Sequence, residues 1–296
     1  MTSQLIAQPA HSANLIWNWR GYDIQYRVEG YGPPMVLIHG FGASIGHWRK
    51  NIPVLAAAGY RVYALDLLGF GRSEKPALDY SLDLWEGLLQ DFWSQHVKVP
   101  AVFVGNSIGG LLVLMTLANA PDIARGGVLL NCAGSLNHRP EDLPRPLGVM
   151  MGAFSKVVGA PILGELIFSQ VRQRFRIRGA LNQVYGNRDA ITPELIDILH
   201  RPSCDAGAQK VFASILTAPP GPRPSDLLPR IQHPLLVLWG ETDPWTPIEG
   251  AKLYKDMTRE KNLTFHAIPN TGHCPHDERP EIVNKRILDW LSAQDI

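Results

Sequence analysis

The chain has 296 residues, with 28 Lys and Arg against 27 Asp and Glu and a formal net charge of +1. That balance gives no electrostatic case for nucleic acid as a partner, and the length can bury a large core with room for an inserted subdomain. Three widely spaced cysteines, Cys132, Cys204 and Cys274, lack metal-ligand spacing and read as reduced thiols in an intracellular, reducing compartment.

Residues 1–14 are mixed and polar, without a basic segment followed by an apolar one, and read as a flexible leader with no secretory signal. Leu15–Trp19 and Tyr22–Val28 are β-rich runs around Arg20-Gly21, an antiparallel hairpin. Met35–Ile38 is a continuous apolar run of the kind buried on both faces of a parallel sheet. A helix over 46–58 ending at Gly59, a strand over Arg61–Leu65 and a helix from Ser81 to about His96 follow, the last capped by the Ser81 hydroxyl. Strand Ala101–Val104 runs through a Gly-rich turn into a helix over Leu111–Ala118, and Gly127–Cys132 is a further buried strand. From Ala133 to about Ile231 helices alone are expected, between Pro-rich loops. Alternation then resumes with strand Leu235–Trp239, helix Ile248–Met257, strand Leu263–Ile268 and a last helix from Pro280 to Leu291. The order predicts an α/β fold with a mostly parallel sheet: a core of residues 15–133 and 232–296, and a helical cap of 134–231 inserted over the sheet's carboxyl edge.

Ligands and reacting groups of open α/β sheets sit beyond the carboxyl ends of the strands. There the sequence has His39-Gly40-Phe41-Gly42, then Asp66, then Gly105-Asn106-Ser107-Ile108-Gly109, then Gly240-Glu241-Thr242-Asp243, then Gly272-His273. Gly-x-Ser-x-Gly between a strand and a helix is the pattern of a nucleophile held on a tight turn, its glycines permitting close backbone approach. A serine alcohol needs a base to take its proton, and an imidazole base needs a carboxylate to fix its tautomer. Ser107, Asp243 and His273 supply these types in the order Ser, Asp, His. Asp66 and Glu241 compete for the acid role, Asp66 reading better as a turn stabiliser. His276 and His39 compete for the base role, His39 reading better as an organiser of its own loop. The amides of Phe41 and Ile108 are candidates for an oxyanion hole. No His-Glu-x-x-His run and no Gly-x-Gly-x-x-Gly after the first strand is present, so neither metal nor cofactor is expected.

The run His39-Gly40-Phe41-Gly42-Ala43-Ser44 with Trp48, the loop Asp66–Ser73, the serine turn, Gly240-Glu241-Thr242-Asp243 and Gly272-His273 together resemble the α/β-hydrolase superfamily. That resemblance covers the chain from about Trp17 onward and implies an α/β-hydrolase fold with Ser107 as nucleophile, Asp243 as acid and His273 as base. Gly105–Gly110 and Gly272–Glu278 look like the plant and cyanobacterial branch that includes pheophytinase and chlorophyll dephytylase. The expectation is therefore a serine carboxylic-ester hydrolase on a bulky apolar ester, with dephytylation of chlorophyll or pheophytin implied by resemblance alone. The alternatives are C–C bond hydrolysis, acyl transfer or perhydrolysis by the same triad, or slow-turnover reception of a small molecule. His39, Trp48, Asn106, Met151, Phe154 and Phe168 are the candidates for the substrate pocket. Pro146–Val171 is strongly apolar, and Arg172, Arg174, Arg176 and Arg178 follow it. Its glycines, internal proline and charges argue against a membrane-spanning helix. It reads as a lid that packs on the core or touches a membrane surface, in the cytoplasm or peripherally on a thylakoid membrane. No oligomeric state is legible.

Overall fold

The computed structural model describes residues 13–137, 139, 160–258 and 262–296. Eight strands form one sheet: β1 Ala13–Trp19, β2 Tyr22–Glu29, β3 Pro34–Ile38, β4 Arg61–Leu65, β5 Ala101–Asn106, β6 Ala124–Leu130, β7 Leu235–Gly240 and β8 Leu263–Ile268. Their spatial order is β1-β2-β4-β3-β5-β6-β7-β8. The hairpin β1–β2 and its junction with β4 are antiparallel, and every later pairing is parallel.

The apolar runs owe their lack of alternation to burial on both faces. Met35, Leu37, Val102 and Val104 belong to the apolar cluster on one side of the sheet, beneath Ile52, Leu55 and Ile287. Val36, Ile38 and Phe103 face the other, against Trp85, Leu88 and Leu111. Helices cover both: α1 Ile52–Ala57, α2 Leu82–Phe92 and α3 Ile108–Asn119 in the first half of the chain. α3 is buried over Ile108–Leu117, which suits a helix that is apolar all round. Between β6 and β7 the described residues form helices α4 Pro161–Val171, α5 Arg174–Val184, α6 Pro193–Ser203, α7 Ala208–Thr217 and α8 Pro224–Leu227, and no strand. The chain closes with α9 Lys252–Met257, α10 Pro275–Glu278 and α11 Pro280–Ala293.

Local differences from expectation have local causes. The helix expected over 46–58 is split into a 3-10 turn, Ile45–Trp48, and the short α1. Pro53 has no N–H to continue a helix from the turn before it and sits instead in the first turn of α1. Ser81 caps α2 as expected, through the Leu84 N–H at 3.2 Å, but the helix ends at Phe92 and passes into a wider turn over Trp93–Val97. The short helix α10 lies in what reads as loop, because a single turn carries no periodicity.

Two glycines show how tightly the centre is packed. A Cβ on Gly105 would lie 2.1 Å from the Gly109 carbonyl oxygen, and one on Gly109 would lie 2.3 Å from that of Ile38. Backbone is the obstacle in both, so nothing can yield cheaply. Gly87, inside α2, meets only the end of Arg20 at 3.9 Å. Gly109→Ala should therefore lose roughly 1–3 kcal/mol of stability through overpacking. Gly87→Ala should gain about 0.5–1 kcal/mol from helix propensity. Urea unfolding of the two variants checks the contrast.

Candidate active site

The register of the parallel strands brings their carboxyl ends level. Ile38 pairs with Gly105, Asn106 with Leu130, Leu130 with Leu238 and Gly240 with Ile268. Ser107 follows β5 directly with φ 56° and ψ −120°, a conformation strained for a residue with a Cβ. Its backbone is held from both sides by the end of β6: Ser107 N–H donates to Leu130 O and Ala133 N–H donates to Ser107 O, each at 3.0 Å. The Ser107 hydroxyl makes no capping bond to α3, so the turn presents it rather than consuming it.

His273 Nδ1 lies 2.6 Å from Asp243 Oδ2, and both side chains are almost wholly buried. Asp243 also accepts from Asn131 Nδ2 at 2.8 Å and from the Trp245 N–H at 2.8 Å, and from the Thr246 hydroxyl. Burial pushes this carboxyl up, but the bond and charge of His273, with Thr246 and the Trp245 amide, outweigh it. The group is held below the usual carboxylate value. An ionised Asp243 accepts at Nδ1–H and so leaves His273 Nε2 as the basic nitrogen. Asn131 is a residue that sequence reading passed over. It sits at φ 42° directly after β6, its amide oxygen accepting from Gly240 N–H at 2.9 Å while its NH₂ holds Asp243. An Asn just past an apolar strand was the available signal. Thr246, three residues beyond Asp243, carries no such signal.

The loop bearing His273 is anchored on both sides. Asn106 Nδ2 donates to the His273 carbonyl at 2.9 Å and to Leu130 O at 3.0 Å, so Asn106 ties the His273 loop to the strand end that precedes Ser107. On the cap side His273 N–H donates to Val184 O at 2.8 Å. Glu278, buried, accepts from the N–H groups of Gly186, Asn187, Gly272 and Cys274 at 2.7 to 3.2 Å.

A cavity of about 420 Å³ opens above Ser107. Ser107, His273, Asn106, Phe41 and Phe168 line it, with Phe70, Leu181, Val184, Val211 and Phe212 among its apolar walls and Lys75, Arg172 and Arg176 at its lining. Ile108 opens α3, where N–H groups lack intrahelical partners, and the Phe41 N–H donates to no group among the described residues. Two residues expected in the pocket are elsewhere. His39 is fully buried beneath the loop it starts, with Nδ1 2.8 Å from Gly40 O and Nε2 accepting from Leu67 N–H at 3.0 Å; burial lowers its pKa to about 4 and keeps it neutral. Trp48 packs in the core with its ring 4.2 Å from that of His276. An apolar ring on a short turn has a core to fill whichever way the turn faces, and here it fills it. Met151 and Phe154 lie outside the described residues. Asp66 accepts from the Ile45 and Arg72 N–H groups at 2.6 and 2.8 Å and so braces its turn. Burial raises its pKa to about 6. Among the described residues no group of three or more His, Cys, Asp or Glu could hold a metal ion.

Residues 35–286 match the family model described as the alpha/beta hydrolase family. The chain belongs to that family. It is 29% identical to chloroplastic pheophytinase of Arabidopsis thaliana over 88% of this chain, but spans only 61% of that protein's length. It is 28% identical to the 2-hydroxy-6-oxo-6-(2'-aminophenyl)hexa-2,4-dienoic acid hydrolase of Metapseudomonas resinovorans, covering 94% of this chain and 90% of that one. Among solved structures, a membrane phospholipase A described as a bacterial virulence factor superposes with a TM-score of 0.76 at 25% identity, over 97% of this chain and 87% of the other. An α/β-fold hydrolase is thereby supported.

If Asp243 orients His273, Asp243→Asn should lower kcat by about 10⁴-fold while leaving KM within a few-fold, because an amide at that position favours the wrong imidazole tautomer. Steady-state kinetics on a chromogenic ester, with circular dichroism to confirm folding, checks this.

Proposed function

We propose that this α/β hydrolase cleaves carboxylic esters through an acyl-enzyme on Ser107. The observation that carries the reading is the buried Asp243–His273 pair at 2.6 Å, with His273 sharing one largely apolar cavity with the strained Ser107. His273 takes the Ser107 hydroxyl proton as the oxygen attacks the ester carbonyl. The tetrahedral oxyanion is held by the amides of Phe41 and Ile108, each worth about 3 kcal/mol in such a role. Collapse breaks the ester C–O bond, the proton on His273 passes to the departing alkoxide, and the acyl group stays on Ser107. Water then attacks that acyl group, His273 taking its proton and returning it to Ser107 as the acid leaves.

The cavity wall of Phe41, Phe70, Phe168, Leu181, Val211 and Phe212 favours a bulky apolar ester. Likeness to pheophytinase supports a phytyl ester of a chlorophyll-type pigment as the substrate to try first. A second reading is C–C bond hydrolysis of a dienoate. It is favoured by the likeness to the dienoic acid hydrolase and by Arg172 and Arg176 in the cavity lining, as partners for a carboxylate. Ser107→Ala should abolish both p-nitrophenyl ester turnover and fluorophosphonate labelling. Undiminished activity would remove Ser107 as nucleophile. On a panel running from acetate to long-chain esters with a detergent-dispersed phytylated pigment, the expected rise in kcat/KM with apolar size supports the ester reading. Turnover of a 2-hydroxy-6-oxo-dienoate alone would replace it.

We also propose that the cap touches an anionic membrane surface from which such esters are drawn. Leu163, Leu166, Val171 and Phe175 are exposed large apolar side chains of α4 and α5, and Val171 also lines the cavity. Residues 161–184 carry the bases Arg172, Arg174, Arg176 and Arg178 and one acid, Glu165; Arg174 is paired with Asp197 of α6, and each of the other cations near an anionic surface contributes about 1 kcal/mol. Among the described residues no helix is long and apolar enough to cross a membrane. Co-sedimentation should be several-fold stronger with vesicles containing phosphatidylglycerol than with phosphatidylcholine alone, and weaker for Leu166→Glu/Phe175→Glu. Equal recovery with both vesicles would remove the proposal.

A further inference from the structure

We propose that Trp245 reads the alcohol half of the ester, so that the site favours alcohols with a flat π surface, such as an aryl ring, beside the oxygen. The inference deepens the ester-hydrolase reading and rests on it for the reaction.

Trp245 lies on the loop after β7, two residues beyond Asp243. It lines the same cavity as Ser107 and His273, and it is 60% exposed. Its ring centroid lies 5.2 Å from that of His273 with 62° between the planes, so the indole stands edge to face with the imidazole. Among the described residues the indole makes no other ring contact, and its N–H meets no acceptor. A side chain of this size gains much by burial, and the protein leaves most of it uncovered. The loop beneath it is nevertheless braced. Trp245 N–H donates to Asp243 Oδ1 at 2.8 Å, the Thr246 hydroxyl donates to the same carboxylate, and the Thr246 carbonyl accepts from Trp239 Nε1 at 2.9 Å. Pro244 and Pro247 flank the pair and fix two further backbone angles. An open aromatic surface is thus held on a fixed backbone beside the imidazole.

The course of acyl transfer decides which half of an ester meets it. In the tetrahedral intermediate the carbonyl oxygen points to the amides of Phe41 and Ile108. His273 takes the proton from Ser107 and must then reach the departing oxygen with the same Nε2. That oxygen, and the carbon bonded to it, therefore pass beside the imidazole, where Trp245 stands. The phenylalanine wall lies apart. The Phe41 ring is 5.8 Å from that of Phe70 and 6.1 Å from that of Phe212, which is 5.1 Å from Phe168, and among the described residues none of these rings contacts Trp245. That wall is left for the acyl half. A π ring on the alcohol packs offset or edge-on against the indole, which contributes roughly two- to tenfold beyond the area it covers. Trp245 has the character of a specificity residue for the leaving group.

The test compares benzyl butyrate with cyclohexylmethyl butyrate, which share an acyl group and differ in the flatness of the alcohol. kcat/KM follows acylation, the stage at which the alcohol is present, and a ratio of the two within one protein removes effects common to both. Trp245→Leu should cut the benzyl-to-cyclohexylmethyl ratio by roughly two- to tenfold, and Trp245→Phe should restore most of it. The ratio of benzyl octanoate to benzyl acetate, which varies the acyl half alone, should move less than the alcohol ratio. An alcohol ratio the same in Trp245→Leu as in the unaltered protein would overturn the proposal. So would an acyl ratio that shifts as far as the alcohol ratio, because Trp245 would then shape the cavity as a whole. Circular dichroism confirms folding, and should Trp245→Leu fail to fold, Trp245→Met, also apolar and without a π face, gives the same comparison. If the unaltered protein cleaved none of these esters, the ester-hydrolase reading would fail and take this inference with it. Cleavage with ratios indifferent to residue 245 would fail this inference alone.

Discussion

A buried carboxylate with four backbone N–H groups around it holds the functional half of this molecule together. Glu278 accepts from Gly272 and Cys274, on either side of His273, and from Gly186 and Asn187 of the cap. Burial pushes its pKa up, and the N–H groups pull it part of the way back. Each hydrogen bond to an ionised acceptor contributes about 1.5–3 kcal/mol, and an amide stripped of it inside the protein would be left unpaired. The loop that carries His273 is therefore built jointly by the end of the sheet and the end of α5. Val184, whose carbonyl receives His273 N–H, is the cap's own backbone contribution.

Much of this was legible in the chain and part was not, for physical reasons. Strands β3, β5 and β7 are continuous apolar runs because both faces of the sheet are covered, and that signal survives in one dimension. The serine turn is readable because a Cβ on Gly105 or Gly109 would lie 2.1 or 2.3 Å from a backbone oxygen, so glycine alone fits there. Asp243 and His273 could be named from their place after β7 and β8, and the structure brings them together. Which way a side chain faces on an irregular loop is another matter. His39 and Trp48 carry pocket-like side chains, yet one braces its loop and the other fills the core. Asn131 reaches Asp243 from a separate loop, and Thr246 reaches it through the irregular turn they share. Tyr185 is hydrogen-bonded to His47 and to Asp277, residues 138 and 92 positions away, a relation with no sequence period.

The same region keeps its imidazoles uncharged by exclusion of water. His39, His47 and His276 are all buried, and burial is the main cause of their lowered pKa values. The neutral rings of His39 and His47 are fixed by hydrogen bonds, and His273, paired with Asp243, lines the cavity together with Ser107.

The closure of α5 onto the His273 loop bears on how such a protein can be recombined. A cap grafted from another chain between residues 134 and 231 would have to deliver a carbonyl at the height of Val184 and two amides at the heights of Gly186 and Asn187. Without them Glu278 would lose half its donors, burial would push its pKa further up, and His273 would lose one of its anchors. The insertion is thus not a removable cover. The boundary along which this fold could exchange its substrate specificity runs inside the helical segment, after residue 187, where α6 and α7 line the cavity and make none of the hydrogen bonds that hold Glu278 and His273.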